Sequence, residues 1–179
     1  MKYVYFDTNI VLAKWAPLDV YHSEANLIFS ALAAGQFSAV FSGFGLCEIA
    51  SVVERQSQKF PIQIKPNISL SLEYLKQIVK VPKLEIIDIF SSINVRISGK
   101  SLELSTIFWR GIDIANKLRL KTLDNIHIAI ADIISHISGK TIDYFLTGDK
   151  EVLSEQRHIK KSYGFSVVSP IEFVNLEGI

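Results

Sequence analysis

Cysteine is almost missing from this chain: 179 residues carry one, Cys47. A lone thiol excludes an intramolecular disulfide and any thiolate-rich zinc or iron–sulfur centre, so the chemistry asks for no oxidising compartment. Its neighbours Leu46 and Ile49 make Cys47 a small core residue by expectation. Glycine and proline are sparse as well, nine and five, and the chain shows no internal repeat, low-complexity tract or domain linker. No uninterrupted apolar run approaches the roughly 18 residues that a membrane helix needs, and Asp7 breaks the first apolar run too early for a signal peptide. A large charge excess is lacking too, for the formal net charge is +1, which is no global footprint of nucleic-acid or membrane binding. With 49% hydrophobic residues there is enough apolar mass for a sizeable core. The expectation is a single domain over residues 1–179, cytoplasmic and with no membrane partner.

The near-zero charge conceals a split. Residues 1–54 hold Lys2 and Lys14 against Asp7, Asp19, Glu24, Glu48 and Glu54. Residues 55–83 hold Arg55, Lys59, Lys65, Lys76, Lys80 and Lys83 against Glu73 alone. An acidic site beside a surface that receives phosphates would produce this pattern, and so would a solvated basic face.

Short aromatic and β-branched runs at residues 2–6, 38–41, 143–146 and 165–168 read as buried parallel strands; residues 84–89 are a candidate for a further one. Helical patterns fill residues 22–34, 46–56, 69–79, 102–118, 123–137 and 150–158, with Gly35 and Gly139 closing the first and fifth. In the fifth, six isoleucines between Ile126 and Ile137 leave almost no polar face, which predicts a buried helix. The stretch 60–67 reads as a loop. Strands separated by helices imply βαβ units and a mostly parallel sheet covered on both faces.

On that frame Asp7 follows the first strand and Asp149 follows the strand at 144–146, both at carboxyl ends where open α/β sheets place ligands. Glu48 lies in the helix after the second strand, and Asp124 begins the isoleucine helix. Taken singly, the aspartates read as helix N-caps and Glu48 as a solvent-facing helix residue. Taken jointly, four converging carboxylates repel one another unless a divalent cation holds them. Oxygen donors without a His or Cys cluster point to Mg²⁺ or Mn²⁺ rather than zinc, a class of ion that handles phosphates.

Asp7-Thr8-Asn9 after the first strand, Glu48 in a mid-chain helix, the run from Leu123 through Asp124 and Asn125 to Ala131, and Thr147-Gly148-Asp149 together resemble the successive motifs of PIN-domain ribonucleases, with the VapC-like toxin branch nearest in size and layout. Asn125 stands where a small residue is commoner, and residues 56–100 are longer than in compact toxins. The resemblance implies a PIN-like three-layer α/β/α sandwich with a central parallel sheet. It implies Asp7, Glu48, Asp124 and Asp149 as the catalytic, metal-binding acids, with Asn9 and Thr147 as polar supports. The activity it implies is Mg²⁺- or Mn²⁺-dependent hydrolysis of RNA, by the toxin of a toxin–antitoxin pair, with a homodimer and a cognate antitoxin as partners. A non-catalytic PIN-like module that binds RNA or protein, and a PIN nuclease that matures ribosomal RNA, are the alternatives. Lys76, Lys80 and Lys83 are candidate RNA-backbone contacts. The four histidines pair with no nucleophile; His127 reads as structural, and Trp109 as core or interface. Asn9 stands where a haloacid-dehalogenase phosphatase needs a second aspartate, and no glycine-rich turn follows the first strand.

Overall fold

The computed structural model describes residues 1–60, 69–137 and 139–179. Along the chain run β1 (Tyr3–Phe6), α1 (Thr8–Trp15), α2 (His22–Ala33), β2 (Ser38–Ser42), α3 (Gly43–Arg55), α4 (Leu70–Ile78), β3 (Leu84–Ile87), β4 (Ser92–Ile97), β5 (Lys100–Ser105), α5 (Thr106–Ala115), α6 (Thr122–Ile137), β6 (Tyr144–Leu146), α7 (Lys150–Ser154), α8 (Gln156–Tyr163), β7 (Ser166–Val168) and α9 (Pro170–Glu177). They divide into two compact units, Met1–Ile87 with Asp143–Ile179, and Asp88–Ile142. The expected loop at 60–67 lies, beyond Phe60, outside the described residues.

The first unit is built on a five-stranded sheet in the order β3-β2-β1-β6-β7, every pair parallel. The chain lays β2 and β3 to one side of β1 and then β6 and β7 to the other, so the strand order reverses between β1 and β6. Open parallel sheets bind ligands outside the carboxyl ends of the strands at such a reversal. Side chains alternate across the sheet: Val4, Phe6, Ala39, Phe41, Leu146 and Val168 join Ile10, Val11, Ile28, Leu32, Ile49 and Phe173 in one core. Each Val, Leu, Ile or Phe among them, fully buried, contributes roughly 1.5–3 kcal/mol. Tyr5 and Phe145 point the other way and stack at 5.1 Å, and the series continues through Phe165 at 6.0 Å to Tyr163. Burial on both faces is why these strands read as unbroken apolar runs rather than as alternations.

Three local expectations change. The helix expected at 150–158 is two helices, α7 and α8, split at Glu155; the Ser154 hydroxyl donates to the Glu151 carbonyl at 2.6 Å, a bond that competes with the helical ladder. The C-terminal α9, unforeseen, starts on a capping box: Ser169 accepts from the Glu172 N–H while Glu172 accepts from the Ser169 N–H, with Pro170 in the first turn. Cys47 is exposed rather than core, because the buried stripe of α3 is Gly45, Ile49 and Val53, spaced four apart, and Cys47 falls off it.

The second unit holds the antiparallel hairpin β4–β5 and the helix pair α5 and α6. The expected helix at 102–118 is therefore a strand as far as Ser105. Ser98 and Gly99 form a two-residue turn with φ of 49° and 82°, the type that matches strand twist. Alternating Ile93, Val95 and Ile97 before it, and Leu102 and Leu104 after it, complete the hairpin. In α6 the residues Ile126, Ile128, Ile130, Ile133 and Ile134 are buried as expected. An ion pair joins the two helices, Arg110 Nε donating to Asp132 Oδ2 at 2.6 Å.

Candidate functional site

Asp7 stands at the carboxyl end of β1, its N–H donating to the Leu146 carbonyl at 3.0 Å, and it is 6% exposed. It caps α1, for Oδ1 accepts the Thr8 N–H at 2.7 Å. Oδ2 accepts from the Asn9 amide and from the Thr147 hydroxyl, both at 2.6 Å. Capping and site-building are thus compatible: one oxygen serves the helix while the other is fixed by two donors.

Thr147 is fully buried at the end of β6. Besides donating to Asp7, its hydroxyl accepts from the Asn9 amide at 3.1 Å and from the Asp149 N–H at 3.0 Å, which fills the bonding capacity of a hydroxyl. Asn9 Oδ1 accepts the Gly148 N–H at 2.8 Å. The Asp149 carboxylate caps α7 by accepting the Glu151 N–H at 2.7 Å. On the other flank, the Thr8 hydroxyl donates to Glu48 Oε2 at 2.6 Å. Thr8 thereby bridges the two acids, its N–H on Asp7 and its hydroxyl on Glu48.

A hydrogen-bonded chain therefore links Glu48, Thr8, Asp7, Asn9, Thr147 and Asp149 along the rim where the strand order reverses. Beneath it, burial first pushes the Tyr5 hydroxyl well above its ordinary pKa; a hydrogen bond with Ser42 opposes this, and the charges of Asp7 and Glu48 add to it. Tyr5 therefore stays neutral. Among the described residues no three or more His, Cys, Asp or Glu side chains form a group that could hold a metal; the acids are joined through neutral residues instead. By donor chemistry alone, carboxylate oxygens suit a hard cation such as Mg²⁺ or Mn²⁺ and not zinc.

The first unit by itself supplies Asp7, Glu48 and Asp149. Asp124 belongs to the second, half-buried in the first turn of α6; the helix starts at Thr122, so Asp124 is its third residue and not its cap. His127 is buried on the same helix, and Trp109 is half-buried on α5. Of the lysines, Lys76 pairs with Glu73 at 3.4 Å on α4. Lys83 directly precedes β3, its carbonyl accepting the Ala39 N–H at 3.1 Å. That places Lys83 at the amino edge of the sheet, the opposite end from Asp7. Sequence reading missed Thr8, although it sits inside the Asp7-Thr8-Asn9 motif; no spacing rule marks it as the partner of Glu48, 40 residues away.

No protein-family model matches the chain, and no curated protein matches it. Solved structures do. A chain in the crystal structure of VapBC2 from Rickettsia felis bound to a DNA fragment from their promoter aligns over 93% of this chain and 98% of its own, with a TM-score of 0.54 and 12% identity. A chain of a toxin–antitoxin complex from Klebsiella pneumoniae aligns over 93% and 97%, with a TM-score of 0.50 and 18% identity. This is the PIN-like fold. At these identities the likeness is one of architecture. The PIN-like sheet, parallel and flanked by helices, is the one that the strand–helix alternation of the sequence implies.

Proposed function

We propose that the chain is a metal-dependent endoribonuclease that hydrolyses RNA phosphodiester bonds, acting as the toxin of a toxin–antitoxin pair. The observation that carries this reading is Asp7: a buried carboxylate at the strand-order reversal, fixed by three neutral donors and bridged by Thr8 to a second acid. Neutral donors orient a carboxylate without adding a charge of their own. The solved structures of like fold, which include a toxin–antitoxin complex, support the biological setting.

In this reading Asp7, Glu48 and Asp149 hold Mg²⁺ or Mn²⁺, and Asp124 is the fourth carboxylate that the sequence motif assigns. The ion, when bound, lowers the pKa of a water and offsets charge on the scissile phosphate. The chain's own residues do the positioning. Asn9 and Thr147 keep the Asp7 carboxylate in one orientation, and Thr8 does the same for Glu48. A partner protein is supported by the second unit, where exposed Phe108 and Ile112 line an apolar groove of about 370 Å³.

Incubating purified protein with total RNA, with Mg²⁺ and with EDTA, tests the reading: cuts at defined positions that vanish in EDTA are expected, and RNA intact in both overturns it. The lack of a three-acid group among the described residues favours a second reading, a non-catalytic RNA-binding module. That module would retain RNA in the same experiment without cutting it.

A further inference from the structure

Tyr21 occupies the turn between α1 and α2, and hydrogen bonds hold that turn in one shape. Asp19 N–H donates to the Ala16 carbonyl at 2.9 Å, and His22 N–H to the Asp19 carbonyl at 3.1 Å. The Tyr21 N–H donates to Asp19 Oδ1 at 2.9 Å. The ring comes to rest on Gly148: a Cβ built there would lie 2.7 Å from Tyr21 Cε2 and 2.9 Å from Cδ2. Gly148 has no left-handed backbone angle, so it is the ring, not the dihedral, that requires glycine at the centre of Thr147-Gly148-Asp149. The Gly148 N–H donates to Asn9, and Asn9 donates to Asp7. An unbroken path of contacts therefore runs from the aromatic ring to the buried carboxylate.

What the ring does for the fold is limited. Tyr21 is half-buried, and among the described residues its hydroxyl has no hydrogen-bond partner and its ring no aromatic neighbour. Most other large aromatics of this unit behave differently, for Phe6, Trp15, Phe29, Phe37 and Tyr74 all pack ring against ring in the core. If covering Gly148 were its whole task, any bulky apolar side chain would serve.

We infer that Tyr21, seated on Gly148, is a nucleobase-binding subsite of the rim that stacks an unpaired base next to the scissile phosphate. It rests on reading the rim as an RNA-cleaving site and adds to it the residue that receives a base, whose face is open to a side chain only where the base is unstacked. Stacking on a single ring tolerates every base, so the subsite selects strandedness more than sequence.

The test compares wild-type full-length protein with Tyr21→Phe and Tyr21→Leu. Leucine keeps an apolar cover over Gly148 and removes the aromatic face. Binding of a fluorescent 12-nucleotide single-stranded RNA, measured with Ca²⁺ in place of Mg²⁺, is expected to weaken roughly 5- to 150-fold in Tyr21→Leu, the range for loss of one stacked base. Tyr21→Phe should bind like wild type, and thermal melting should be the same for all three. An oligonucleotide of the same length with abasic sugars throughout should bind wild type and Tyr21→Leu equally. Equal binding of the normal RNA by wild type and Tyr21→Leu overturns the subsite, as does an equal loss on the abasic strand. If wild type cuts RNA and Tyr21→Leu cuts it with unchanged KM, the subsite falls and the nuclease stands. If wild type cuts nothing while the base-dependent binding loss appears, the nuclease reading falls and the base subsite stands.

Discussion

Two regions of this protein bury a carboxylate, and they treat it in opposite ways. In the second unit Asp132, 2% exposed, meets the guanidinium of Arg110 at 2.6 Å, a counter-ion supplied by the chain itself. In the first unit Asp7, 6% exposed, meets an N–H, an amide and a hydroxyl. An ion pair settles charge and geometry together and leaves the group a structural pin between α5 and α6. Neutral donors settle geometry while leaving the charge in place, at considerable desolvation cost. The same residue type is thus held through an ion pair in one place and through an N–H, an amide and a hydroxyl in the other.

The widest gap between the two regions should appear with Asp7→Asn. As a helix cap, asparagine equals aspartate. As a metal ligand it does not, so cleavage should fall by more than the roughly 10–100-fold that loss of an orienting group costs. Mn²⁺ should raise the melting temperature of wild type and not of the variant; equal shifts and equal cleavage would reduce Asp7 to a cap. The structure adds a cost that capping alone does not foresee. Oδ2 receives two donors, so an amide at position 7 must set N–H groups against a donor on one side, for about 1–2 kcal/mol.

Arg110→Met should leave activity alone and destabilise by about 3 kcal/mol, because Asp132 then stays buried without its guanidinium, with only the His136 imidazole 3.4 Å away. Adding Asp132→Leu should recover most of that loss. Urea unfolding of the single and double variants reads this directly, and a double variant no better than the single would show that Arg110 acts by packing rather than by charge.

Thr147→Val keeps the shape and removes a hydroxyl that serves Asp7, Asn9 and Asp149 together. A stability loss of about 1–2 kcal/mol and a fall in kcat of at least about tenfold are expected, with KM for RNA little changed. A change confined to stability would place Thr147 in the fold and outside the chemistry.

Tyr74 gives the smallest effect and a reference for both regions, since its hydroxyl is buried with no partner among the described residues. Burial raises its pKa to about 12. The unfolded chain releases that proton near pH 10 and the folded chain holds it, so the stability it supports is complete below pH 10 and is lost between about 10 and 12. Tyr74→Phe should be neutral or slightly stabilising at pH 7 and should lose less stability across that alkaline window. A loss of more than about 1 kcal/mol at pH 7 would mean that the hydroxyl is satisfied after all.

The elements easiest to read were those whose pattern is local and one-sided. The apolar runs of β1, β2, β6 and β7 are short enough to read as strands buried on both faces, and the isoleucines of α6 read as a buried helix. The hairpin was missed because Leu102 and Leu104 were read with the apolar residues of α5 that follow, although Ser98-Gly99 between two alternating stretches was the signal for a turn. Cys47 went wrong for a related reason: apolar neighbours in sequence are not neighbours on a helix face.

By itself the sequence determined which carboxylates follow strands, and therefore that Asp7 and Asp149 stand at carboxyl ends; strand direction and chain order suffice for that, because parallel strands carry their ends to one edge. It also determined the hard-oxygen character of the candidate ligands. Only the tertiary structure decided that β6 lies next to β1, which puts Thr147 on Asp7 across 140 residues, and that Thr8 reaches Glu48. It likewise decided that Lys83 falls on the far edge of the sheet and that Tyr21 claims the space over Gly148. Those facts depend on distances between segments remote in sequence, which the order of the strands fixes and local propensity does not.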